Sequence, residues 1–316
     1  IDGEVRKLGI PALSHADVHR LVFEIMSDSQ RGEFEEKLEV DFSFELPNVG
    51  RFRVNAFNQS RGCSAVFRTI PVEIPTLEQL GAPDIFEKIA NYEKGLVLVT
   101  GPTGSGKSTT LAAMVDYVNR NHNKHILTIE DPIEFVHTNN KCLVNQREVH
   151  RDTHSFKAAL RSALREDPDV ILVGELRDQE TISLALTAAE TGHLVFGTLH
   201  TSSAAKTIDR IIDVFSGNDK DMVRSMLSES LRSVIAQRLL KRVGGGRVAC
   251  HEIMMATPAI RNLIREDKVA QMYSIIQTGA AHGMQTMEQN AKQLMAQGLV
   301  DSEEVEKKIE IETSMF

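Results

Sequence analysis

Residues 95–109 read GLVLVTGPTGSGKST, and this short stretch decides the fold. Its first part, Leu96 to Thr100, is an apolar run of the kind that forms a buried strand. The next residues, Gly101 to Ser108, fit the pattern G-x-x-x-x-G-K-[ST]. A helix is predicted to follow, because apolar residues recur at helical spacing at Leu111, Met114, Val115 and Val118. A strand, this loop and a helix in succession are the context that the pattern requires.

The glycine-rich loop predicts a phosphate-binding site. Its backbone N–H groups can close around phosphate oxygens, and the helix that follows presents its positive end to them. Lys107 adds a full charge near the terminal phosphates, where we predict that it takes part in catalysis, and Ser108 can bind Mg²⁺. A chance glycine-rich turn is the alternative, but the flanking strand and helix favour the phosphate site. The predicted nucleotide-binding residues of the loop are Gly101, Pro102, Thr103, Gly104, Ser105, Gly106, Lys107, Ser108 and Thr109.

Apolar runs that alternate with helical segments continue along the chain. They are Leu96 to Thr100, Ile126 to Ile129, Val170 to Val173 and Leu194 to Leu199. Strands that are buried on both faces read as continuous apolar runs, so the pattern predicts a parallel sheet with helices on both sides. Gly244-Gly245-Gly246 is interpreted as a hairpin tip, with Val248 to Met255 after it.

A carboxylate stands at the end of one of these strands. Glu175 follows Val170 to Val173 after a single glycine, at the edge where a parallel sheet binds its ligand. Nucleotide hydrolysis needs a residue that activates or orients water, and we predict that Glu175 is this base. Gly174 occupies the position where a metal-binding aspartate is usual, so no direct metal contact is predicted there.

A second group of carboxylates follows the strand Ile126 to Ile129. We predict that Glu130, Asp131 and Glu134 lie near the terminal phosphate, with Asp131 serving Mg²⁺ through water and Glu134 taking part in catalysis. Acidic residues after a strand also cap helices or line solvated loops. For Asp131, which precedes Pro132, that alternative stays open.

Two histidines bracket the strand Leu194 to Leu199. His193 and His200 are seven residues apart, so on a strand they lie on opposite faces, about 23 Å from each other, and cannot share one metal ion. His200, at the carboxyl end, is predicted to reach the phosphates and to take part in catalysis. His193 is a candidate nucleotide contact, and for both residues an ordinary hydrogen-bonding role is the alternative.

The N-terminal part of the chain follows a different pattern. Apolar and polar residues alternate along Val40 to Glu45 and Arg51 to Ala56, which indicates half-buried antiparallel strands joined at Asn48-Val49-Gly50. A helix is predicted from about Ser14 to Met26, and Cys63 to Ile70 supplies another strand. Pro71, Pro75 and Pro83 then indicate a linker. The predicted divisions are an N-terminal domain at 1–70, a linker at 71–84, a nucleotide-hydrolysing core at 85–256 and a helical region at 257–316.

Composition excludes several classes of protein. The chain has 316 residues, 41% hydrophobic and 25% charged, which is typical of globular domains and excludes wholesale disorder. Its apolar runs fall far short of the roughly 20 residues that cross a bilayer, so no membrane span is predicted. With 36 basic and 44 acidic residues the net charge is −8, and no basic stripe is interleaved with aromatic residues, so nucleic acid is not an expected partner.

The cysteines indicate the redox compartment of the protein, and the first residues indicate where its natural sequence begins. Cys63, Cys142 and Cys250 lie too far apart for a secretory disulfide framework or a C-x-x-C metal knuckle, so we predict a reduced cytoplasmic compartment and no zinc. Ile1-Asp2-Gly3-Glu4-Val5 reads like a strand entered in the middle, so we expect the natural protein to begin earlier.

These motifs together resemble those of the PilT-type retraction ATPases of bacterial type IV pili, within the secretion ATPase superfamily. The resemblance covers essentially the whole chain. It rests on the phosphate loop, the acidic segment Glu130 to Glu134, Gly174-Glu175 and the histidine segment His193 to His200. It also rests on a string that reproduces the AIRNLIRE motif associated with retraction: Ala259, Ile260, Arg261, Asn262, Leu263, Ile264, Arg265 and Glu266. Extension motors of the superfamily commonly carry a tetracysteine zinc site, which this sequence cannot build.

The resemblance implies a PAS-like α+β domain, then a RecA-like P-loop ATPase domain of α/β class and C-terminal helices, assembled as a homohexamer. It implies ATP and Mg²⁺ as cofactors, and Glu175 as the catalytic residue. It further implies that arginines of the N-terminal domain act as phosphate sensors or fingers. The candidates are Arg51, Arg53, Arg61 and Arg68, for which a solvated basic sheet face is the alternative.

The AIRNLIRE segment is also interpretable from its residues alone. Thr257 and Pro258 are typical of a helix start, and Ile260, Leu263 and Ile264 fall on one helical face with Arg261 and Arg265 on another. An ordinary amphipathic helix fits this pattern equally well. The resemblance favours a role in pilus retraction.

The leading hypothesis is therefore an ATP-hydrolysing ring motor that turns the inner-membrane platform protein of the pilus machine. It would act in the cytoplasm, peripherally at the inner face of the cytoplasmic membrane, and a paralogous retraction ATPase as a further partner stays open. An accessory, weakly hydrolysing ring subunit is the alternative, against which Glu175 and Lys107 argue. A RecA-like nucleic-acid translocase would share the core fold, but the net charge of −8 disfavours it.

Overall fold

The computed structural model describes residues 6–47, 49–71 and 73–309. The chain forms two compact units, Ile1–Val72 and Glu73–Phe316. The division falls inside the proline-containing segment 71–84, and Leu77 of that segment is buried in the core of the second unit. The strand expected at 1–5, and Asn48 of the expected turn, lie outside the described residues.

The N-terminal unit packs helices against one face of an antiparallel sheet. Its elements are α1 (His15–Glu24), α2 (Asp28–Lys37), β1 (Glu39–Leu46), β2 (Gly50–Gln59) and β3 (Gly62–Ile70). The strands pair in that order. The predicted alternation is confirmed, because one face supplies a common core with the helices: Val22, Met26, Phe34, Val40, Phe42, Val54 and Ala56. The sequence analysis missed α2, whose ten residues bury Phe34 but form no apolar stripe.

The second unit is built on a larger sheet. Its elements are α3 (Ile85–Ala90), β4 (Gly95–Thr100), α4 (Lys107–Asn121), β5 (His125–Glu130), β6 (Leu143–Glu148), α5 (Phe156–Ala163), β7 (Val170–Val173), α6 (Gln179–Thr191), β8 (Leu194–Leu199), α7 (Ala204–Asp213), α8 (Lys220–Ser230), β9 (Leu231–Lys241), β10 (Arg247–Met255), α9 (Pro258–Arg265), α10 (Met272–Thr278), α11 (Met287–Ala296) and α12 (Ser302–Ile309). The strand order is β10-β9-β4-β8-β7-β5-β6. All neighbours are parallel except β10, which pairs antiparallel with β9.

The predicted α/β class is confirmed, and the four apolar runs are the strands β4, β5, β7 and β8 at the centre of this sheet. Every residue of β4, β7 and β8 is buried, as expected for strands covered on both faces. The sheet edge strand β6 was missed because its sequence, LVNQRE, is mostly polar. The parallel arrangement places the carboxyl ends of β4, β5, β7 and β8 at one edge, where the candidate functional residues follow.

The C-terminal helices pack on the same unit. The hairpin predicted at Gly244-Gly245-Gly246 joins β9 to β10, and α11 and α12 bury Leu294 and Val305 against it. The helix α9 begins at Pro258 with the Thr257 side chain as its N-cap, as predicted. Its apolar face, Ile260, Leu263 and Ile264, joins the main core of the sheet.

Across residues 6–47, 49–71 and 73–309, none of the helices is both long enough and apolar enough to cross a bilayer.

Candidate active site

The phosphate loop connects β4 to α4 at the carboxyl edge of the sheet. Gly106 is the N-cap residue of α4 and has a left-handed backbone with φ of 86°. Lys107 is 9% exposed, and its Nζ donates to the carbonyl oxygens of Gly101 at 2.8 Å and Pro102 at 3.1 Å. Thr103 and Gly104 are exposed at the tip of the loop. The ammonium group is therefore held under a loop whose tip is open to a ligand.

The charge of Lys107 depends on the acids around it. Burial lowers the pKa of Lys107, and the negative charges of Glu175 and Glu134 partly oppose that effect. The carboxylates of Glu175 and Glu134 thus both interact electrostatically with the Lys107 ammonium group, although they follow different strands, β7 and β5. The negative oxygens of a bound triphosphate would favour the ammonium form in the same way.

Glu175 follows β7 and is bound by two neighbours. Its Oε2 accepts from Arg177 Nη2 at 2.7 Å, and its Oε1 lies 3.4 Å from His200 Nε2. Burial raises the pKa of the Glu175 carboxyl group, but the hydrogen bond and charge of Arg177, together with His200, outweigh it and leave the pKa below its usual value. Glu175 is consequently ionised at neutral pH, which a residue that accepts a proton from water requires.

His200 lies between the carboxylate and the phosphate loop. It follows β8 directly, and its Nδ1 is 3.5 Å from Lys107 Nζ while its Nε2 faces Glu175. With Lys107 protonated, Nδ1 is the acceptor and Nε2 carries the hydrogen toward the carboxylate. The structure therefore brings together three residues that the sequence analysis assigned to catalysis.

In the acidic segment at the end of β5, the side chains of Glu130 and Glu134 are half-buried. Burial raises the pKa of Glu130 to about 7, although Thr128, Gln146 and the backbone N–H of Glu134 all donate hydrogen bonds to it. Asp131 is exposed, and its charge acts on Arg177. Asp131 and Glu134 therefore belong to the same electrostatic environment as Glu175 and Lys107.

His193 lies at the other end of β8. Its carbonyl oxygen accepts from Gly95 N–H at the start of β4, which is the amino edge of the sheet. Its Nδ1 lies 2.9 Å from the carbonyl oxygen of Ala188, near the end of α6. Within this chain the structure does not bring His193 to the phosphate loop, and its ring is engaged in the local contact that was the alternative interpretation.

The candidate arginines of the N-terminal unit form a group of three and a separate residue. Arg53 on β2 lies directly opposite Arg68 on β3, and Arg51 is two residues from Arg53 on the same face. Arg51 also donates to Ser43 Oγ at 3.3 Å. Arg61 is exposed in the turn between β2 and β3, at the other end of these strands.

The side chains at this site could hold a magnesium ion only together with a bound ligand that completes the coordination of the ion. Among the described residues, no group of three histidine, cysteine or acidic side chains could hold a metal ion. Mg²⁺ in nucleotide sites is usually held by one or two side chains together with phosphate oxygens and water. Ser108 at the start of α4 and Asp131 at the end of β5 are consistent with that mode of binding.

Two residues at this site were missed by the sequence analysis. Arg177 binds Glu175, and its only signal was its position two residues further along the chain. Gln237 on β9 contacts the phosphate loop, since its Nε2 donates to the carbonyl oxygen of Ser105 at 2.7 Å. The polar pair Gln237-Arg238, between the apolar residues Val234 to Ala236 and Leu239-Leu240, was the weak signal that sequence offered.

A cavity of about 320 Å³ extends from the phosphate loop. Gly106 and Thr109 line one part of it, and Phe86, Arg242 and Arg247 line other parts. A larger cavity of about 500 Å³, near Pro83 and Met284, contains no residue of the phosphate loop. A third cavity, of about 390 Å³, also meets the loop at Pro102 and reaches His200. Contact with the loop therefore excludes the cavity near Met284 and leaves these two beside the phosphate site.

The sheet, the phosphate loop after β4 and the carboxylate after β7, two strands away, define a P-loop α/β protein. The family model described as "Type II/IV secretion system protein" matches residues 1–245. The chain belongs to this family.

The chain is similar to several characterised relatives. It is 68% identical over 311 residues to "Type IV pilus retractation ATPase PilT" of Pseudomonas aeruginosa, covering 98% of this chain and 90% of that protein. It is 62% identical over 316 residues to "Twitching motility protein" of Neisseria gonorrhoeae, covering 100% and 84%. A structure described as the pilus retraction motor PilT with bound ADP superposes with a TM-score of 0.86 at 52% identity, covering 92% of this chain and 83% of that one.

The bond between Arg177 and Glu175 leads to a pH prediction. Replacing Arg177 by glutamine removes the hydrogen bond and charge that lower the pKa of Glu175, so the burial effect should raise that pKa. A base with a higher pKa is protonated over more of the acidic range, so the acid limb of the kcat profile should move to higher pH. Relative to wild type, we expect activity to fall on the acidic side of neutrality and to recover as the pH rises above it.

Rates of ATP hydrolysis measured across this pH range test the Arg177 prediction. Arg177→Lys, which keeps a positive charge, should shift the profile less than Arg177→Gln. Because Glu130 titrates at about 7 in either protein, only the difference between the profiles is informative. A rate lowered by the same factor at every pH would contradict the prediction.

Proposed function

We propose that this protein is an ATP-hydrolysing hexameric motor that powers type IV pilus retraction and twitching motility. The observation that carries the proposal is the series Glu175, His200 and Lys107, which links an ionised carboxylate to the phosphate loop by contacts of 3.4 Å and 3.5 Å. Relatives named for pilus retraction and twitching motility, together with the ADP-bound structural neighbour, support this assignment.

In this proposal the chain performs phosphoryl transfer by positioning and electrostatics. The backbone N–H groups of the loop and Lys107 bind the triphosphate, and Glu175 accepts a proton from the attacking water or orients it. His200 holds the carboxylate in place from the side of the loop. Ser108 and Asp131 would hold Mg²⁺, which when bound neutralises charge on the terminal phosphates.

The nucleoside part of ATP is assigned to the cavity of about 320 Å³ beside the loop. Thr109 and Gly106 line it where the phosphates end. Arg242 and Arg247 also line this cavity and can donate hydrogen bonds to ribose or base.

Arg51, Arg53 and Arg68, which share one face of the N-terminal sheet, are proposed to contact phosphate in the assembled ring. Arg53 and Arg68 are like charges directly opposite each other, an arrangement that costs stability unless an anion lies nearby. The ring would act on the inner-membrane platform protein of the pilus machine, peripherally at the cytoplasmic face of the membrane.

A paired biochemical and cellular experiment tests the proposed function. The purified protein with Mg²⁺ and ATP should release phosphate, and its gene should restore twitching to a strain that lacks its own retraction motor. Nucleotide binding without phosphate release would favour the accessory ring subunit. Absence of both binding and release would overturn the motor assignment.

Replacing Arg261 by alanine is expected to separate hydrolysis from retraction. Arg261 lies on α9, where its Nε donates to the carbonyl oxygen of Ala256 at 2.9 Å, and it belongs to the segment associated with retraction. We expect twitching to be lost while ATP hydrolysis stays within about threefold of wild type, a change below 1 kcal/mol in the activation barrier. Equal loss of the two activities would contradict this role.

Leu263 is the control for the Arg261 experiment. Leu263 belongs to the same segment, but it is 7% exposed and packs in the main core. Leu263→Ala should cost about 2–5 kcal/mol of stability and lower both activities together. The thermal unfolding temperature distinguishes this structural effect from that of Arg261.

A further inference from the structure

We propose that Gln237 is a positioning residue for nucleotide binding, which holds the phosphate loop in its binding shape from the neighbouring strand β9. The proposal rests on the proposed function in that the loop is taken to bind a nucleotide. Gln237 lies outside the phosphate-loop motif and more than a hundred residues beyond it in the chain. Its role is visible only because β9 pairs with β4 in the sheet.

The side chain of Gln237 connects the loop to the helix that follows it. Its Nε2 donates to the carbonyl oxygen of Ser105 at 2.7 Å, and its Oε1 accepts from Thr110 Oγ1 at 2.7 Å. Gln237 is 2% exposed, so water cannot easily replace these bonds. One amide thus binds a residue inside the loop and a residue in the first turn of α4.

The two outer glycines of the loop pack against the same residue. A Cβ atom at Gly101 would lie 2.3 Å from the carbonyl oxygen of Gln237, and one at Gly106 would lie 2.9 Å from its Nε2. These glycines are therefore needed for close approach to β9 as well as for their positive φ angles of 143° and 86°. Both ends of the phosphate loop therefore pack against Gln237.

A buried histidine fixes the orientation of the Gln237 amide. His251 Nε2 lies 3.1 Å from Gln237 Oε1, and because that oxygen can only accept, Nε2 must carry the hydrogen. Burial lowers the pKa of His251 to about 4, so the ring is neutral at neutral pH. The backbone N–H of His251 donates to Asn290 Oδ1 on α11, which anchors the network on the C-terminal helices.

Loss of the Gln237 side chain is therefore expected to weaken nucleotide binding and to leave the chemical step of ATP hydrolysis nearly unchanged. Gln237 contacts the loop backbone but none of the three residues assigned to catalysis. Leaving its buried partners unpaired should favour other loop shapes and so weaken the binding of every nucleotide. A lost bond to buried groups corresponds to roughly ten- to hundredfold weaker affinity.

The test measures ADP affinity and ATPase kinetics for two substitutions. Gln237→Glu places a carboxylate oxygen against the carbonyl oxygen of Ser105, and Gln237→Met keeps the length of the side chain without its hydrogen bonds. For both variants we expect the Kd for ADP with Mg²⁺ and the KM for ATP to rise about ten- to hundredfold, with kcat within about threefold of wild type. Gln237→Glu should have the larger effect.

Gln271→Glu, at an exposed position, is the matched control for the added charge and should leave ADP affinity unchanged. Unchanged ADP affinity in a folded Gln237 variant, or a lower kcat with unchanged Kd, would overturn the proposal. Should Gln237→Glu fail to fold, Gln237→Met decides, with ADP binding measured at a temperature where it is folded. A wild-type protein that binds ADP without hydrolysing ATP would count against the motor function only, and the Gln237 comparison would still stand.

Discussion

Replacing Glu175 by glutamine should lower kcat for ATP hydrolysis by about 10²–10⁴-fold, the usual contribution of a positioned acid or base. Glutamine keeps the size of the side chain and can still meet His200, but it cannot accept a proton from water. The phosphate loop and Lys107 are unaltered, so the KM for ATP should change only a few-fold. Steady-state phosphate release and ADP affinity, measured on the same preparations, test this expectation.

Glu190→Gln is the matched control for the Glu175 experiment. Glu190 is exposed on α6, so the same chemical change there should leave kcat unaltered. Arg177 would lose its charged partner in the Glu175 variant, and its rearrangement could change ADP affinity. Equal rates for wild type and Glu175→Gln would remove the assignment of Glu175 as the base.

The parts of the site that sequence alone could predict are those encoded by neighbouring residues. The phosphate loop needs glycines, Lys107 and a helix start within one short segment, and the position of Glu175 follows from the end of an apolar strand. Parallel pairing of those strands then places Glu175 and His200 at the same sheet edge. These inferences required no knowledge of contacts between distant residues.

The parts that sequence could not predict depend on contacts across the fold. Gln237 reaches Ser105 because β9 lies beside β4 in the sheet. No pattern of neighbouring residues in the sequence predicts that strand order. The bond from Arg177 to Glu175 depends on side-chain direction after β7, where the chain leaves the sheet. His193 shows the converse, since its neighbourhood in sequence suggested a nucleotide contact while β8 carries it to the opposite edge from His200.

Removing the charges of Arg53 and Arg68 together should lower kcat for ATP hydrolysis by about 10³–10⁵-fold, the range found for arginine fingers. The two guanidinium groups occupy directly opposed positions on β2 and β3, so an anion that approaches this face meets both. An arginine that binds the transferring phosphoryl group stabilises charge that develops in the transition state. The loss should therefore appear in kcat of the assembled protein, with a smaller change in the KM for ATP.

Arg61→Ala separates this prediction from a general effect of positive charge. Arg61 lies in the turn at the other end of β2 and β3, so its removal takes away one arginine charge of the same unit without altering the face that carries Arg53 and Arg68. The control should keep the wild-type rate and the wild-type assembly state, measured by light scattering on every variant. If the Arg53→Ala, Arg68→Ala double variant assembles normally and hydrolyses ATP at the rate of Arg61→Ala, the arginines do not act on the phosphates, and the alternative of a solvated basic face is correct.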